Sequence, residues 1–243
     1  MDQKKPYYFS YEARYQKVYA AGANQWGHSP HDEKLIKVLS DWVEKHHLRG
    51  KKILEFACGE GASGVILSQL GCLYYGIDIA PSAIKKAETA LAPYPTATVS
   101  ILDMVQNPLE AEAYDGALDV MGLHMLITDS DRKKYLHNVY QALKPQAPML
   151  FYQESYWADE PATPIHSLDE WANLTGGDYE TPQPRTIMGT KNHTEVLLPI
   201  LPARGRSKDG YLKEMRENGF AVDDFFGIDM PDSHLATIYV HKL

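Results

Sequence analysis

Cysteine is scarce in this chain, with two residues in 243, so no disulfide framework is expected. No apolar run approaches the roughly 20 residues that cross a bilayer, and the first twenty residues lack the apolar core of a signal peptide. The longest basic run is Arg132-Lys133-Lys134 in a chain of net charge -8, which argues against a nucleic acid partner. These absences predict a cytoplasmic protein that binds neither membranes nor nucleic acids.

The chain contains instead an alternation of short apolar strands and amphipathic helices over residues 51–154, which predicts an α/β fold with a doubly wound parallel sheet. Its length suits a single domain over residues 1–243. Residues 1–50 precede the sheet as a helical cap, in which Ser29 and Pro30 predict the start of a helix. Residues 207–243 predict a helix and two strands.

Residues 155–206 interrupt the alternation. They are rich in proline, yet they also carry Trp157, Trp171 and other aromatic residues. Such a segment inside a compact domain is usually functional or disordered, and this one has too much apolar surface for disorder. We therefore predict an inserted lid over the carboxyl-terminal edge of the sheet.

A glycine turn after an apolar strand, at residues 53–61, is the most informative segment. Glu55 lies four residues before Gly59, and Asp78 ends the next apolar run. Glycine lets the backbone approach a ligand closely, and an acid at the tip of the second strand can bind a ribose diol. The pattern predicts an adenosine-containing cofactor.

The spacing of Gly59, Gly61 and Gly64 also satisfies the dinucleotide fingerprint, so an NAD-dependent oxidoreductase is a competing interpretation. Glu55 weighs against it, because the pyrophosphate of a dinucleotide would lie close to this carboxylate. A cofactor that carries an ammonium and a sulfonium would instead be attracted to it.

Five segments, in the same order along the chain, resemble the class I S-adenosylmethionine-dependent methyltransferases. They are the glycine loop at residues 55–61, the second strand at 75–79, the third at 100–104, the fourth with its trailing Leu-His at 114–124, and the helix end at 142–145. Ala57 stands where the family has its first glycine. The resemblance covers residues 50–154 and returns at the C-terminus, and it implies a Rossmann-like sheet of seven strands that ends in an antiparallel hairpin.

The resemblance also implies S-adenosyl-L-methionine as the cofactor. Asp78 would bind its ribose hydroxyls, Asp103 would meet its adenine amino group, and Glu55 would act near its methionine end. The predicted cofactor-binding residues are Trp26, Glu55, Ala57, Cys58, Gly59, Gly61, Asp78, Ile79, Asp103, Met104 and Met121.

Aromatic residues crowd into the first twenty-six positions. The pattern around Tyr11, Tyr15 and Trp26 resembles the small-molecule branch of the family, such as thiopurine and tellurite methyltransferases. There an N-terminal tryptophan closes over the cofactor, and an aromatic face suits a sulfonium cation. The competing interpretation, which we prefer for most of these residues other than Trp26, is a helix that packs its tyrosines on the core.

His124 follows the fourth strand, where the active site of the family opens. It is a candidate catalytic base, since histidine titrates near neutral pH, although a packing role fits this position slightly better. His28, His166 and His193 lack metal-ligand spacing, and no cysteine cluster accompanies them, so no metal site is predicted.

The sequence therefore predicts methyl transfer by in-line displacement to a small-molecule acceptor. Residues 185–208 contain a single acid, Glu195, and five basic residues, which suggest an anionic acceptor: Arg185, Lys191, Arg204, Arg206 and Lys208. A cofactor-binding module without methylation and an NAD-dependent oxidoreductase are the alternatives. No pattern indicates an oligomeric state.

Overall fold

A computed structural model describes residues 5–157, 163–187, 195–230 and 233–243. Its helices are α1 (Ser10–Ala20), α2 (Glu33–Lys45), α3 (Ala62–Gln69), α4 (Pro81–Leu91), α5 (Asp129–Ala142), α6 (Leu168–Thr175) and α7 (Lys208–Glu217). Its strands are β1 (Lys52–Phe56), β2 (Leu73–Asp78), β3 (Ala97–Ile101), β4 (Gly116–Val120), β5 (Pro148–Ser155), β6 (Gln183–Thr186), β7 (Glu195–Leu198), β8 (Phe220–Met230) and β9 (Ser233–Lys242).

Seven of the strands form one sheet in the order β3-β2-β1-β4-β5-β9-β8. Strands β1 to β5 run parallel, whereas β9 is antiparallel to both β5 and β8. The predicted α/β fold, with a doubly wound seven-stranded sheet and a C-terminal antiparallel hairpin, is confirmed.

The core lies on both faces of this sheet because successive side chains of a strand point to opposite sides. Along β1, Ile53 packs with Leu39 and Trp42 of α2 on one face. Its neighbour Leu54 packs with Leu136 of α5 and other buried residues on the opposite face. The two layers hold the strand ends in fixed positions at the edge where the parallel strands terminate.

Helix α2 begins later than Ser29 and Pro30 predict. Asp32 is its N-cap, and the Asp32 carboxylate accepts hydrogen bonds from the backbone amides of Lys34 and Leu35. Aspartate is as good a cap as serine, and this one has two acceptor oxygens. Ser29 and Pro30 therefore belong to the loop that leads into the helix.

The inserted segment packs on the outside of the N-terminal cap. The β6–β7 hairpin contributes Leu198 to a cluster with Val18 of α1. Helix α6 contributes Trp171 to a second cluster with Ile127 and Ile165. The described part of residues 155–206 thus covers the sheet edge by supporting the cap, and none of its described residues lines the cavity beneath that cap.

No helix among the described residues combines the length and the apolar character needed to cross a membrane.

Candidate functional site

A turn with left-handed backbone conformation follows strand β1. Ala57, Gly59 and Gly61 all have positive φ, at 51°, 52° and 81°. The conformation is costly for Ala57, and such strain concentrates at functional sites. The first residue after β4, Met121, also has a positive φ, of 65°. Two neighbouring strands therefore bend sharply away from the sheet at the same edge, and the space between them becomes a cavity.

The cavity measures about 260 Å³ and lies where β1, β2 and β4 end, beneath the N-terminal cap. It is lined by most of the residues predicted to bind a cofactor, namely Trp26, Glu55, Ala57, Cys58, Gly59, Asp78, Ile79, Asp103, Met104 and Met121. The structure therefore brings together residues from five separate segments of the sequence. Their individual contacts with a cofactor remain predictions.

Gly61 is the exception in this set, because it does not line the cavity. It is the N-cap of α3, and a Cβ atom placed on it would come within 3.1 Å of the Ala87 Cβ on α4. Gly61 is needed for the turn and for close packing between α3 and α4. Its predicted contact with the cofactor stays a prediction. Gly59 does line the cavity, where a Cβ atom would lie 3.0 Å from the Tyr15 hydroxyl.

Asp78 connects the tip of β2 to the glycine turn. One carboxylate oxygen accepts a hydrogen bond from the Gly59 amide, and the other accepts one from the Ala80 amide, both at 2.8 Å. Burial raises the pKa of Asp78, and these backbone amides oppose that rise. A carboxylate has about four lone-pair positions, so both oxygens can still accept bonds from a diol.

Asp103 lies two residues beyond the end of β3, on the cavity wall. Its carboxylate accepts hydrogen bonds from the Tyr8 hydroxyl at 3.2 Å and from the Val105 amide at 2.8 Å. The bond to Tyr8 connects the N-terminal cap to the third strand, a contact between residues 95 positions apart.

Glu55 is almost completely buried, at 1% exposure. Burial raises its pKa to about 7, while hydrogen bonds from Tyr74 and Ser63 favour the ionised form. The Tyr74 hydroxyl donates to its carboxylate. Glu55 therefore lies on the cavity wall as a carboxyl group that is partly protonated near neutral pH, so it carries less negative charge than its position in the motif suggests.

Tyr11, Tyr15 and Trp26 of the cap form the roof of the cavity. The rings of Tyr15 and Trp26 meet edge to face with centroids 4.9 Å apart. The guanidinium of Arg14 lies 4.6 Å from the centroid of the Trp26 ring. Arg14 thus provides, from within the chain, a cation that contacts the Trp26 ring.

Glu60 attaches this roof to the glycine turn, although no sequence pattern had pointed to this residue. Its carboxylate accepts hydrogen bonds from the amides of Trp26 and Gly27, both at 2.9 Å, and from the Tyr19 hydroxyl at 2.6 Å. No local pattern connects a loop glutamate with an amide 34 positions earlier in the chain. Its place between the two glycines of the turn was the one available signal.

The sequence of this region matches a known family. Residues 53–146 match the methyltransferase domain family. These residues therefore carry a methyltransferase domain, and the fold around them is that of the class I S-adenosylmethionine-dependent methyltransferases. S-Adenosylmethionine is the cofactor of this family, and the residues present fit it, with two carboxylates for a ribose and an adenine and a backbone turn that admits close approach. The NAD alternative is therefore wrong.

Similar proteins extend this comparison. The ribosomal protein L11 methyltransferase of Aeromonas salmonicida is 27% identical over 142 residues, which are 56% of this chain and 48% of that protein. The chain thus spans about half the length of the curated relative that it matches.

Two solved structures share the fold of the methyltransferase domain. The 1,6-didemethyltoxoflavin-N1-methyltransferase of Burkholderia thailandensis has a TM-score of 0.63 and 14% identity, with 100% of this chain and 92% of that one covered. The 4+2 cyclase SpnF has a TM-score of 0.66 and 12% identity, with 99% and 97% covered.

His124 does not line the cavity of the methyltransferase domain. Its side chain is 6% exposed, its Nδ1 atom lies 2.7 Å from a Glu154 carboxylate oxygen, and its backbone amide donates to the same oxygen. Its carbonyl accepts a hydrogen bond from the Arg204 amide. These contacts favour the packing role of His124 beneath the site, and its role as a catalytic base stays a prediction.

Two arginines of the predicted cationic patch are paired with acids of the chain. Arg204 is 4% exposed and lies 3.0 Å from Asp129. Arg206 lies 3.1 Å from both Asp129 and Glu214. Neither arginine lines the cavity, and their role in binding the acceptor stays a prediction. Lys191 lies outside the described residues, as does His193. Within the described ranges, no group of three or more metal-binding side chains is found.

Replacing Glu60 by alanine is expected to weaken S-adenosylmethionine binding at least tenfold. Hydrogen bonds to charged groups each contribute about 1.5–3 kcal/mol, and three of them position the roof of the cavity. Calorimetric titration gives the affinity, and limited proteolysis after Lys17 reports loosening of the cap. The control is Glu88→Ala on the exposed face of α4. An affinity equal to that of the wild type would show that the cap does not depend on Glu60.

Proposed function

We propose that this chain transfers the methyl group of S-adenosylmethionine to a small molecule that enters the cavity. The observation that carries the proposal is the aromatic roof of Tyr11, Tyr15 and Trp26, which lies over the carboxyl ends of the strands. A cavity of about 260 Å³ below such a roof admits little besides the cofactor and a compact acceptor. A folded protein substrate would require the roof to move away.

When bound, the cofactor supplies a methyl group activated by a positively charged sulfur. The residues of the chain then orient the cofactor and the acceptor and exclude water. Asp78 and Asp103 would hold the nucleoside from opposite sides, because they end neighbouring strands. Trp26 and Tyr15 would exclude water, and removal of water strengthens every electrostatic contact inside the site. Correct alignment of the reactants can itself lower the activation barrier by about 7–11 kcal/mol.

An anionic acceptor is the finer form of this proposal. The guanidinium of Arg14 lies 4.6 Å from the ring centroid of Trp26 in the roof of the cavity. Burial lowers the pKa of Arg14, and the charge of Arg185 acts in the same direction. Among the described residues, neither has a carboxylate within ion-pair distance. A carboxylate or phosphate on the acceptor would relieve their repulsion, and arginine binds such groups with two parallel hydrogen bonds.

The relatives suggest different acceptors. The Burkholderia thailandensis enzyme was crystallised with 1,6-didemethyltoxoflavin and S-adenosylhomocysteine, which supports a small aromatic acceptor, whereas the Aeromonas salmonicida relative is named for a ribosomal protein. SpnF, which shares this fold, is named as a cyclase and not as a methyltransferase. It supports a second candidate function for this chain, which is cofactor binding without methyl transfer.

The test is formation of S-adenosylhomocysteine from S-adenosylmethionine in two fractions of a cell extract, one of metabolites and one of proteins. We expect turnover with the metabolite fraction and depletion of one metabolite that carries a carboxylate or a phosphate. Turnover with the protein fraction alone would contradict the small-molecule proposal. Binding of S-adenosylmethionine without turnover in either fraction would favour the second candidate.

A further inference from the structure

His28 is a histidine on the cavity wall that the mechanism so far does not use. It follows the roof residues directly and is one of the residues that line the cavity. One ring nitrogen, Nδ1, lies 3.0 Å from a carboxylate oxygen of Asp32. The other, Nε2, is buried and has no hydrogen-bond partner among the described residues. Unpaired buried polar atoms are uncommon, and catalytic use is one of the reasons they persist.

Asp32 is held rigidly for this contact. Its second carboxylate oxygen caps helix α2 by accepting from the amides of Lys34 and Leu35. Burial raises its pKa, but the hydrogen bonds from His28 and from these amides outweigh burial and leave the pKa below its usual value. An ionised Asp32 favours the proton on Nδ1 of His28, which leaves the lone pair of Nε2 free to accept a proton.

We propose that His28 is the catalytic base that takes the proton from the methyl acceptor, with Asp32 as its positioning residue. The inference rests on the proposed methyl transfer. As the bond between the acceptor oxygen or nitrogen and the methyl group forms, the methyl–sulfur bond breaks and its electron pair stays on sulfur. The proton of the acceptor moves to Nε2 of His28, and the Asp32 carboxylate stabilises the imidazolium.

Groups from several elements surround His28. Asp32 contacts it from the same loop, and the ring centroid of Tyr152 on β5 lies 6.2 Å from that of His28. Glu55 and Glu60 share the cavity wall. Burial raises the pKa of Glu55 to about 7, so the pH dependence of the wild type alone does not identify the base, and variants of His28 and Asp32 are needed.

The experiment compares the full-length wild type with His28→Ala, Asp32→Asn and His31→Ala. Asparagine caps helices as well as aspartate does, so Asp32→Asn removes the charge and keeps the cap. His31 is exposed in the same loop and serves as the matched control. Removal of a general base costs about 10²–10⁴ in rate, so His28→Ala should lower kcat by that factor. S-Adenosylhomocysteine affinity should stay within about twofold of the wild type.

In Asp32→Asn, the acidic limb of kcat/KM against pH should move to lower pH, because the imidazolium loses its counter-charge. The midpoint of the pH titration of the His28 imidazole C–H signal in NMR spectra should move to lower pH by the same amount. An unchanged kcat in His28→Ala would overturn the assignment while leaving the proposed function intact. Loss of S-adenosylhomocysteine binding in His28→Ala would also overturn it, since His28 would then bind the cofactor. This binding measurement does not depend on turnover. Absence of turnover in the wild type would instead refute the proposed function.

Discussion

Replacing Glu214 by alanine is expected to lower the free energy of unfolding by about 3–5 kcal/mol, because it leaves a buried charge without a partner. Glu214 on α7 accepts two hydrogen bonds from Arg132 on α5, at 2.6 and 2.7 Å. The Arg132 side chain is only 1% exposed. Urea unfolding followed by circular dichroism measures the loss. Removal of one partner is costly even where the intact pair itself contributes little.

The control for this prediction is Glu217→Ala on the same helix. Glu217 lies 3.8 Å from Lys213, and their side chains are 63% and 75% exposed, so the expected change is below about 1 kcal/mol. A loss at position 214 no larger than the loss at position 217 would show that the buried ion pair does not stabilise the fold.

The pH dependence of stability follows from the same residue. Burial opposes ionisation of Glu214, yet the charges of Arg132 and Arg206 lower its pKa to about 2 from an ordinary value of 4.5. Because the folded pKa is the lower of the two, this stabilisation is fully present above pH 4.5 and is lost as the pH falls towards 2. The thermal midpoint of the wild type should decline over this window, and Glu214→Ala should lack that part of the decline.

The second large effect is expected at Asp78. Its replacement by alanine should weaken S-adenosylmethionine binding by about 2 kcal/mol or more, which is roughly 30-fold, because a charged acceptor of hydrogen bonds is lost inside the cavity. The same change releases the Gly59 amide, which the carboxylate holds at 2.8 Å. Isothermal titration calorimetry measures the affinity, and circular dichroism verifies the fold.

The matched control is Asp41→Ala, which removes an acid that is 63% exposed on α2 and pairs with Lys37 on the same helix face. Its affinity for the cofactor should equal that of the wild type. If Asp78→Ala also retained wild-type affinity with an intact fold, the predicted ribose contact would be refuted.

The residues that sequence reasoning located correctly on the cavity wall share a property. Ala57 and Gly59 belong to the turn that follows β1, and Asp78 is the last residue of β2. In a parallel sheet, strand ends meet at one edge whatever the surrounding packing is. Their neighbourhood was therefore predictable from the order of strands and turns alone.

Other side chains depend on contacts that only the fold provides. His124 and Arg204 follow or flank predicted elements, yet each turns towards a carboxylate from a distant segment, Glu154 and Asp129 respectively. Glu60 was missed because its partners come from the cap. His28 lies only four residues before its partner Asp32, but its place on the cavity wall depends on the fold. A sequence shows which side chains can ionise, whereas the burial and pairing of those side chains are set by chain segments that meet only on folding.

The alternation of strands and helices, the glycine turn and the acid at the tip of the second strand were predictable without a structure, since each depends on local backbone preference and on periodicity. The fold was needed to show what covers the cavity and which charges face it. The β6–β7 hairpin supports α1, and Glu60 attaches the roof to the turn. These contacts join distant residues through packing and hydrogen bonds across the fold, and no local pattern in the chain encodes them.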